Sequence, residues 1–479
     1  MIKKYTIIIP LLLVFIGLFQ KINFINTQKT QVDELYVLAR ACNNSAYSLS
    51  PGFSLAKEKI HTLTEVTAIF KPKFPNNNFL ENVIYYLTNY PRLSNHPPLP
   101  DTLTKLTTWD GTTNIKRLRY LSLIYFFITL PFLYLLYRKL GVSRNNSFWS
   151  VAIFSALSLA SLVFVFPKNY ALWILLSTLN LITFVKLLNN RSPLNFFLSL
   201  VSFHAAFQVH YFSAMILPVI YVLLIYKFKR RIFPWIGTPF LYSLSLGIYY
   251  PIIKLQKSFT SRYFDSFDGY LPELKSFLRT FVTILGLNFK SIFGILIVIL
   301  IFILFFRKFN FNKLFFLILT LCPTLVVLLY DCILGHNMLG NFRYSTLSLI
   351  FLPVFLAKVF RNKFLISGFL VLNVLLPQLS KIQYLNSSNF IYPISRMKAF
   401  AQKSQNQKML FYIDSYSIYN ILFWYELNAL KPNPDNVFIA SLEDVHDLDT
   451  NLYDQAYQLK YYKQDSSFKI LNLKSSIAH

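Results

Sequence analysis

Eleven apolar runs punctuate the chain. The first covers residues 5–19, and ten more fall near residues 119–137, 148–166, 170–186, 194–208, 211–226, 235–253, 282–306, 314–334, 344–360 and 364–379. Each approaches the roughly 20 residues that a helix needs to cross the hydrocarbon of a bilayer. The pattern predicts a polytopic α-helical membrane protein of about 11 transmembrane helices. The first run is short, follows Lys3 and Lys4, and has no A-x-A-type cleavage site after it. It reads as a retained helix, with a cleaved signal peptide as the alternative, and either option places the next segment outside.

The polar stretches between the runs differ in length. Residues 20–118 form a large first loop with Pro and Asn clusters at 71–78 and 95–100, and Val83, Tyr86 and Leu87 suit helices lying at the membrane interface. The runs 194–208 and 211–226 are short, and His204, Gln208 and His210 sit where they meet. Polar groups there are expected to face protein or water. Residues 254–280 and 335–343 read as further external links. After residue 379 the pattern changes: alternation and β-branched residues predict strands at 408–413, 436–440 and 468–473, and helices at 415–427 and 441–460. The reading is a transmembrane domain over 1–380 and a small α/β domain over 381–479.

Charge orients the pattern. Six short polar segments, 1–4, 138–147, 186–192, 227–231, 307–313 and 358–363, carry Lys and Arg and no Asp or Glu. Basic residues in short loops stay on the cytoplasmic side, so these six share it and every acid falls on the other. The expected location is the plasma (inner) membrane, multi-pass, with the N-terminus cytoplasmic and the C-terminal domain extracytoplasmic. Hydrophobic residues make up 54% and charged residues 14%, against roughly 25% charged in soluble domains. The net charge of +27 is concentrated where anionic membrane lipid attracts it, which argues against a nucleic-acid partner. Three cysteines make no disulfide framework.

Two features of the first loop carry candidate chemistry. Asp33-Glu34 comes about a dozen residues after the first run, where a helix leaves the bilayer. A carboxylate there is placed to act as a general base on an acceptor hydroxyl. The second is His96-Pro97-Pro98-Leu99 followed by Asp101, where two prolines predict an extended stretch suited to the wall of a cleft. Two acidic clusters, Asp265 with Asp268 and Glu443 to Asp449, raise a divalent metal, but neither has a recognisable metal-loop spacing. No metal or other cofactor is assigned.

The order of these features resembles the GT-C membrane glycosyltransferases, in particular protein O-mannosyltransferases, bacterial aminoarabinose transferases and their relatives. They share an early Asp-Glu pair and a later His-Pro-Pro-Leu motif in the first external loop. The similarity continues through residues 116–122, through Phe166-Pro167-Lys168-Asn169-Tyr170-Ala171-Leu172, where Lys stands for the usual Arg, and through Asn341-Phe342-Arg343-Tyr344. The resemblance implies a GT-C-like fold and transfer of a sugar, with inversion, from a polyprenyl-phosphate donor to a lipid, glycan or protein acceptor outside the cytoplasm. It implies Asp33 as base with Glu34 in support. Arg343, Lys168 and His210 are the candidates for the donor phosphate, and His96, Pro97, Pro98, Tyr36 and Asp101 for the substrate cleft. The rival expectation is a transporter or flippase of lipid-linked saccharide. Transporters tend to show repeated halves and Gly or Pro breaks in matching spans, and no such repeat is seen here.

Overall fold

The computed structural model describes residues 2–27, 34, 37–38, 60–68, 97–105, 114–165, 169–228, 233–252, 254, 269–285, 292–307, 309–334, 338, 342–360, 362, 365–368, 370–371, 394–413, 418–441, 452–462 and 467–472. In chain order its helices are α1 (Ile2–Thr27), α2 (Leu63–Thr67), α3 (Pro98–Lys105), α4 (Ile115–Lys139), α5 (Arg144–Ala156), α6 (Ser158–Val165), α7 (Tyr170–Asn189) and α8 (Pro193–Phe207). They continue with α9 (Ile216–Phe228), α10 (Phe233–Ser245), α11 (Tyr270–Ile284), α12 (Ile292–Arg307), α13 (Phe311–Leu334), α14 (Leu352–Val359), α15 (Ile394–Lys403) and α16 (Ile418–Ala429). The strands are β1 (His61–Thr62), β2 (Met409–Ile413), β3 (Val437–Ser441), β4 (Gln455–Tyr462) and β5 (Ser467–Asn472). Among the described residues, five helical stretches are long and apolar enough to cross a membrane: Ile8–Asn26, Ile115–Lys139, Tyr170–Asn189, Tyr211–Phe228 and Phe311–Ile333. Pro193–Phe207 and Val298–Arg307 are shorter apolar helices.

The chain forms two compact units. The first comprises Met1–Thr27, Asn95–Pro100 and Lys116–Gln383, and the second Gln28–Ser94, Asp101–Ile115 and Tyr384–His479. Pieces of the long first loop are thus counted with the C-terminal residues, where a single division near residue 380 was expected.

In the first unit α1 packs on α5 and α6. The approach is close at Gly17, where a Cβ would lie 2.1 Å from the Ser155 carbonyl oxygen. One turn on, the buried Lys21 donates to Ser155 O at 2.8 Å and to Gly17 O at 3.2 Å, and its ammonium lies 4.2 Å from the centroid of the Phe126 ring. Ser155 belongs to the last turn of α5, whose carbonyls have no partner within the helix. A lysine there satisfies one of them and complements the negative end of the helix. The apolar run 148–166, expected as one helix, is interrupted at this place: Leu157 adopts an extended conformation between α5 and α6. Arg119 is buried as well and donates to Ile25 O at 3.2 Å.

Polar contacts join α7 to α8. Asn180, fully buried, donates to Ser199 O at 2.9 Å and to Ser202 Oγ at 3.2 Å, and the Thr183 hydroxyl pairs with Ser202 at 2.8 Å. Hydrogen bonds of this kind hold apolar helices together where lipid offers no hydrophobic drive for association. With 15 residues α8 is only ~22 Å long, short of the ~30 Å hydrocarbon, as its run suggested. His204 on α8 is bonded through both ring nitrogens, to Tyr249 Oη at 3.0 Å and Ser245 Oγ at 2.9 Å, so it faces protein as expected.

Three other runs differ from a plain span. The run 282–306 is not one helix, because α11 ends at Ile284 and α12 begins at Ile292. The run 344–360 opens as a 3-10 helix, Phe342–Ile350, before α14. Ser345, Thr346 and Ser348 are buried within it, and hydroxyls of this kind compete for the backbone groups an α-helix needs. The run 235–253 passes from α10 into a 3-10 turn at Leu246–Tyr249.

The second unit is built on a five-stranded sheet of order β1-β3-β2-β4-β5. β2 is central and runs parallel to both β3 and β4, while β1 and β5 pair antiparallel at the edges. Parallel neighbours need a crossover, which α16 supplies between β2 and β3. All five residues of β2 are buried, as befits a strand covered on both faces. Phe411 meets Phe400, Trp424 and Tyr457 at 5.2, 5.3 and 5.4 Å between ring centroids, while Leu410 and Tyr412 pack with Ala440, Tyr453 and Ala456.

The three expected strands are present as β2, β3 and β5, and the helix expected at 415–427 is α16. The helix expected over 441–460 is corrected: Gln455–Tyr462 is strand β4, paired on both sides, while residues 442–450 lie outside the described residues. Residues 60–67 of the first loop also join this unit. His61 and Thr62 pair with Ile439 and Phe438, and a capping box between Thr62 and Glu65 starts α2.

Tyr412 gives a test of this core. It is fully buried, and its hydroxyl has no hydrogen-bond partner among the described residues. Burial, and secondarily the Tyr453 phenol, raise its pKa above the usual 10.0. The unfolded chain then releases this proton first, so the contribution to stability is complete below about pH 10 and falls as pH rises further. Tyr412→Phe is expected to raise the stability of the β2 region by about 1 kcal/mol and to flatten its alkaline loss. Hydrogen exchange of the β2 amides in the full-length protein reads both, and a clear loss of protection in the variant would show that the hydroxyl is bonded.

Candidate functional site

The turn Gln208–His210, between α8 and the 3-10 helix Tyr211–Met215, gathers segments from three other places in the first unit. Leu99 of the His-Pro-Pro-Leu motif donates its N–H to Gln208 O at 3.3 Å. Asn169, at the start of α7, donates its side-chain amide to Val209 O at 2.9 Å. The His210 ring stacks on Trp173 at 4.5 Å with 16° between planes, and lies 5.7 Å from Tyr170 and 6.3 Å from Tyr344. Each of these segments was singled out in the sequence, and they meet around one three-residue turn.

The local chemistry explains why the turn is held. His210 caps the 3-10 helix, with Nδ1 accepting the Phe212 N–H at 3.2 Å. An accepting Nδ1 leaves the proton of a neutral imidazole on Nε2. Trp173, fully buried, donates from Nε1 to Ser213 Oγ at 2.7 Å, and Ser213 in turn donates to Ala206 O at 2.6 Å. Phe212 extends the aromatic cluster to Tyr344 at 4.8 Å and to Tyr330 at 6.0 Å.

The other expected residues fall as follows. Arg343 lies on the 3-10 helix Phe342–Ile350, one residue before Tyr344, and its backbone is therefore next to the cluster. Lys168 lies outside the described residues, immediately before Asn169. Pro97 is buried. Pro98 opens α3, so the stretch that two prolines were expected to hold extended is helical from Pro98 onward. Proline fits the first turn of a helix, where its missing N–H has no partner to lose. Asp101, in that helix, is buried at 3% exposure. Glu34 is helical and fully buried in the second unit. Asp33, Tyr36 and His96 lie outside the described residues, as do the acidic clusters at 265–268 and 443–449. Among the described residues no group of three or more His, Cys, Asp or Glu side chains is arranged to hold a metal ion.

Sequence reasoning missed Trp173, Phe212 and the pair Tyr330-Asp331. Asp331 is a fully buried carboxylate in the apolar helix α13, beside the tyrosine that edges onto Phe212. The signal was available, since a lone acid inside an apolar span is by default a functional candidate. The aromatic residues gave no such signal, because their spacing matches ordinary helix packing. No family model matches the chain, and no curated protein sequence matches it at a significant level.

Proposed function

We propose that this protein is a GT-C-like membrane glycosyltransferase. It takes a sugar from a polyprenyl-phosphate donor and transfers it, with inversion, to a lipid, glycan or protein acceptor on the extracytoplasmic face. The observation that carries this reading is the convergence on Gln208–His210 of Leu99, Asn169–Tyr170 and Tyr344, three separate pieces of the motif pattern.

Asp33 serves as the general base. Its carboxylate takes the proton of the acceptor hydroxyl as that oxygen attacks the anomeric carbon. The bond from that carbon to the phosphate oxygen breaks, and its electron pair leaves on polyprenyl phosphate. The growing charge on this leaving group needs fixed donors aimed at it. Arg343 offers a bidentate fork, Lys168 a point charge and His210 the N–H of Nε2. Glu34, being buried, is suited to holding the loop around the base and not to receiving a proton from an acceptor.

Incubating membranes with a panel of polyprenyl-phosphate sugars, and following label into lipid, glycan and protein fractions, tests the reading. One fraction is expected to gain label from one donor, and no gain with any donor would remove the assignment. Arg343→Ala is expected to raise the KM for donor by tenfold or more, about 1.4 kcal/mol, with the acceptor KM little changed. An unchanged donor dependence would take the phosphate role from Arg343.

A further inference from the structure

We propose that α11 lies in the membrane-water interface, with Tyr270, Leu271, Leu274 and Leu278 in the acyl boundary and Lys275 and Arg279 on the phosphates of anionic phospholipid. In the sequence most of this helix belongs to an external link, and the structure gives it a different character. Tyr270, Leu271, Leu274 and Leu278 are 73%, 78%, 50% and 48% exposed. The spacing 271, 274, 278 places the leucines in one row along the helix. Glu273, Thr280 and Thr283 are buried on the opposite face, and the last turn, Thr280 to Ile284, is buried all round.

This polarity is inverted. A helix in an aqueous loop turns its apolar stripe inward and its charges to water, whereas α11 buries its acid and presents leucine. Water would leave that row as an exposed apolar patch of the kind soluble surfaces avoid. Lipid removes the conflict.

Two observations favour a phospholipid surface as the occupant. Lys275 and Arg279 are exposed one turn apart beside the leucine row, and α11 carries no exposed acid. An apolar row flanked by cations is the pattern of helices lying on anionic membranes. Second, α11 packs on α13, a candidate span that exposes Leu325, Leu329 and Ile333, one turn apart each, at 40%, 58% and 77%. The leucines of α11 therefore belong to a helix already anchored on a lipid-facing span. Gly269, with φ +114, lets the chain turn sharply into the helix. The inference rests on the chain spanning a membrane and not on sugar transfer.

The test uses the full-length chain, with Cys42, Cys322 and Cys332 replaced by alanine, in vesicles of phosphatidylcholine and phosphatidylglycerol. A nitroxide is attached at Leu274→Cys and, separately, at Leu278→Cys; both side chains are exposed, so labelling leaves the core intact. Collision with oxygen is expected to exceed collision with a water-soluble nickel chelate at both sites. Chelate access equal to that of a water-exposed control overturns the proposal, because it places the helix in an aqueous loop. Shielding from both reagents also overturns it, because protein, such as a second copy, then covers the row. In the Leu274-labelled chain, Lys275→Gln with Arg279→Gln is expected to lower the phosphatidylglycerol dependence of the oxygen contrast by severalfold. An unchanged dependence removes the headgroup contact.

Discussion

Asparagine at position 33 is expected to abolish sugar transfer while membrane insertion stays intact. The substitution keeps the size of the side chain and its capacity to hydrogen-bond, and removes only the ability to accept a proton at neutral pH. General-base catalysis contributes about 10²–10⁴ in rate. That corresponds to roughly 3–5 kcal/mol of barrier, enough to take turnover below detection in membrane vesicles. Glu34 provides the comparison. It is fully buried in the second unit, so Glu34→Gln is expected to act through stability and to lower the amount of folded protein. Initial rates per folded molecule separate the two: near-normal transfer by Asp33→Asn would remove the base assignment, and loss of rate by Glu34→Gln alone would move it one residue along.

Adding a single methyl group at Gly17 is expected to loosen the first unit measurably. The Cβ would stand 2.1 Å from Ser155 O, 2.6 Å from Ser155 C and 3.1 Å from Ala156 N, all of them backbone atoms. Backbone cannot swing aside as a side chain does, so α1 and α5 must part. Close approach through glycine is how helices pack tightly in membranes. Parting them also stretches the 2.8 Å bond from Lys21 to Ser155 O, which satisfies a carbonyl at the end of α5. Overpacking of this kind costs about 1–3 kcal/mol, and the weakened polar contact adds to it. A lowered Tm of the purified full-length Gly17→Ala protein is expected. Gly237→Ala and Gly247→Ala, which meet nothing within 4 Å, serve as neutral controls. A Gly17→Ala protein that melts with those controls would show that the two helices do not approach as described.

Hydropathy located α1, α4, α7 and α13 well, because a long helix in lipid must be apolar along its length. It was blind to backbone breaks. The run 148–166 is uniformly apolar, yet Leu157 interrupts it, and what satisfies part of the interruption is Lys21 from a helix more than a hundred residues earlier. The same blindness joined the end of α11 to α12. In the second unit, alternation found β2, β3 and β5, but Gln455–Tyr462 was read as helix because its buried position between two strands is a property of the sheet and not of the segment. Two residues of the first loop pairing with β3 could not be foreseen, since nothing local marks so short a strand.

The candidate site was legible as a set of separate segments and not as a cluster. His210, Tyr170 and the Arg343-Tyr344 step stood out through their motif positions or their polarity in apolar runs. Their meeting at Gln208–His210 depends on long-range packing, and the indole of Trp173 that stacks on His210 is indistinguishable in sequence from any core aromatic residue. Asp331 could have been found, because a carboxylate within α13 is costly unless it has a role.

Sealed vesicles separate transfer from transport. With the protein oriented so that its extracytoplasmic face is outward, a donor labelled in the sugar is supplied outside together with acceptor-bearing membranes. Label is expected to leave the polyprenyl phosphate and become bound to the acceptor on the outer face, in proportion to folded protein, with free polyprenyl phosphate formed in equal amount. Recovery of chemically unchanged donor, whether left outside or carried to the inside, would contradict glycosyl transfer.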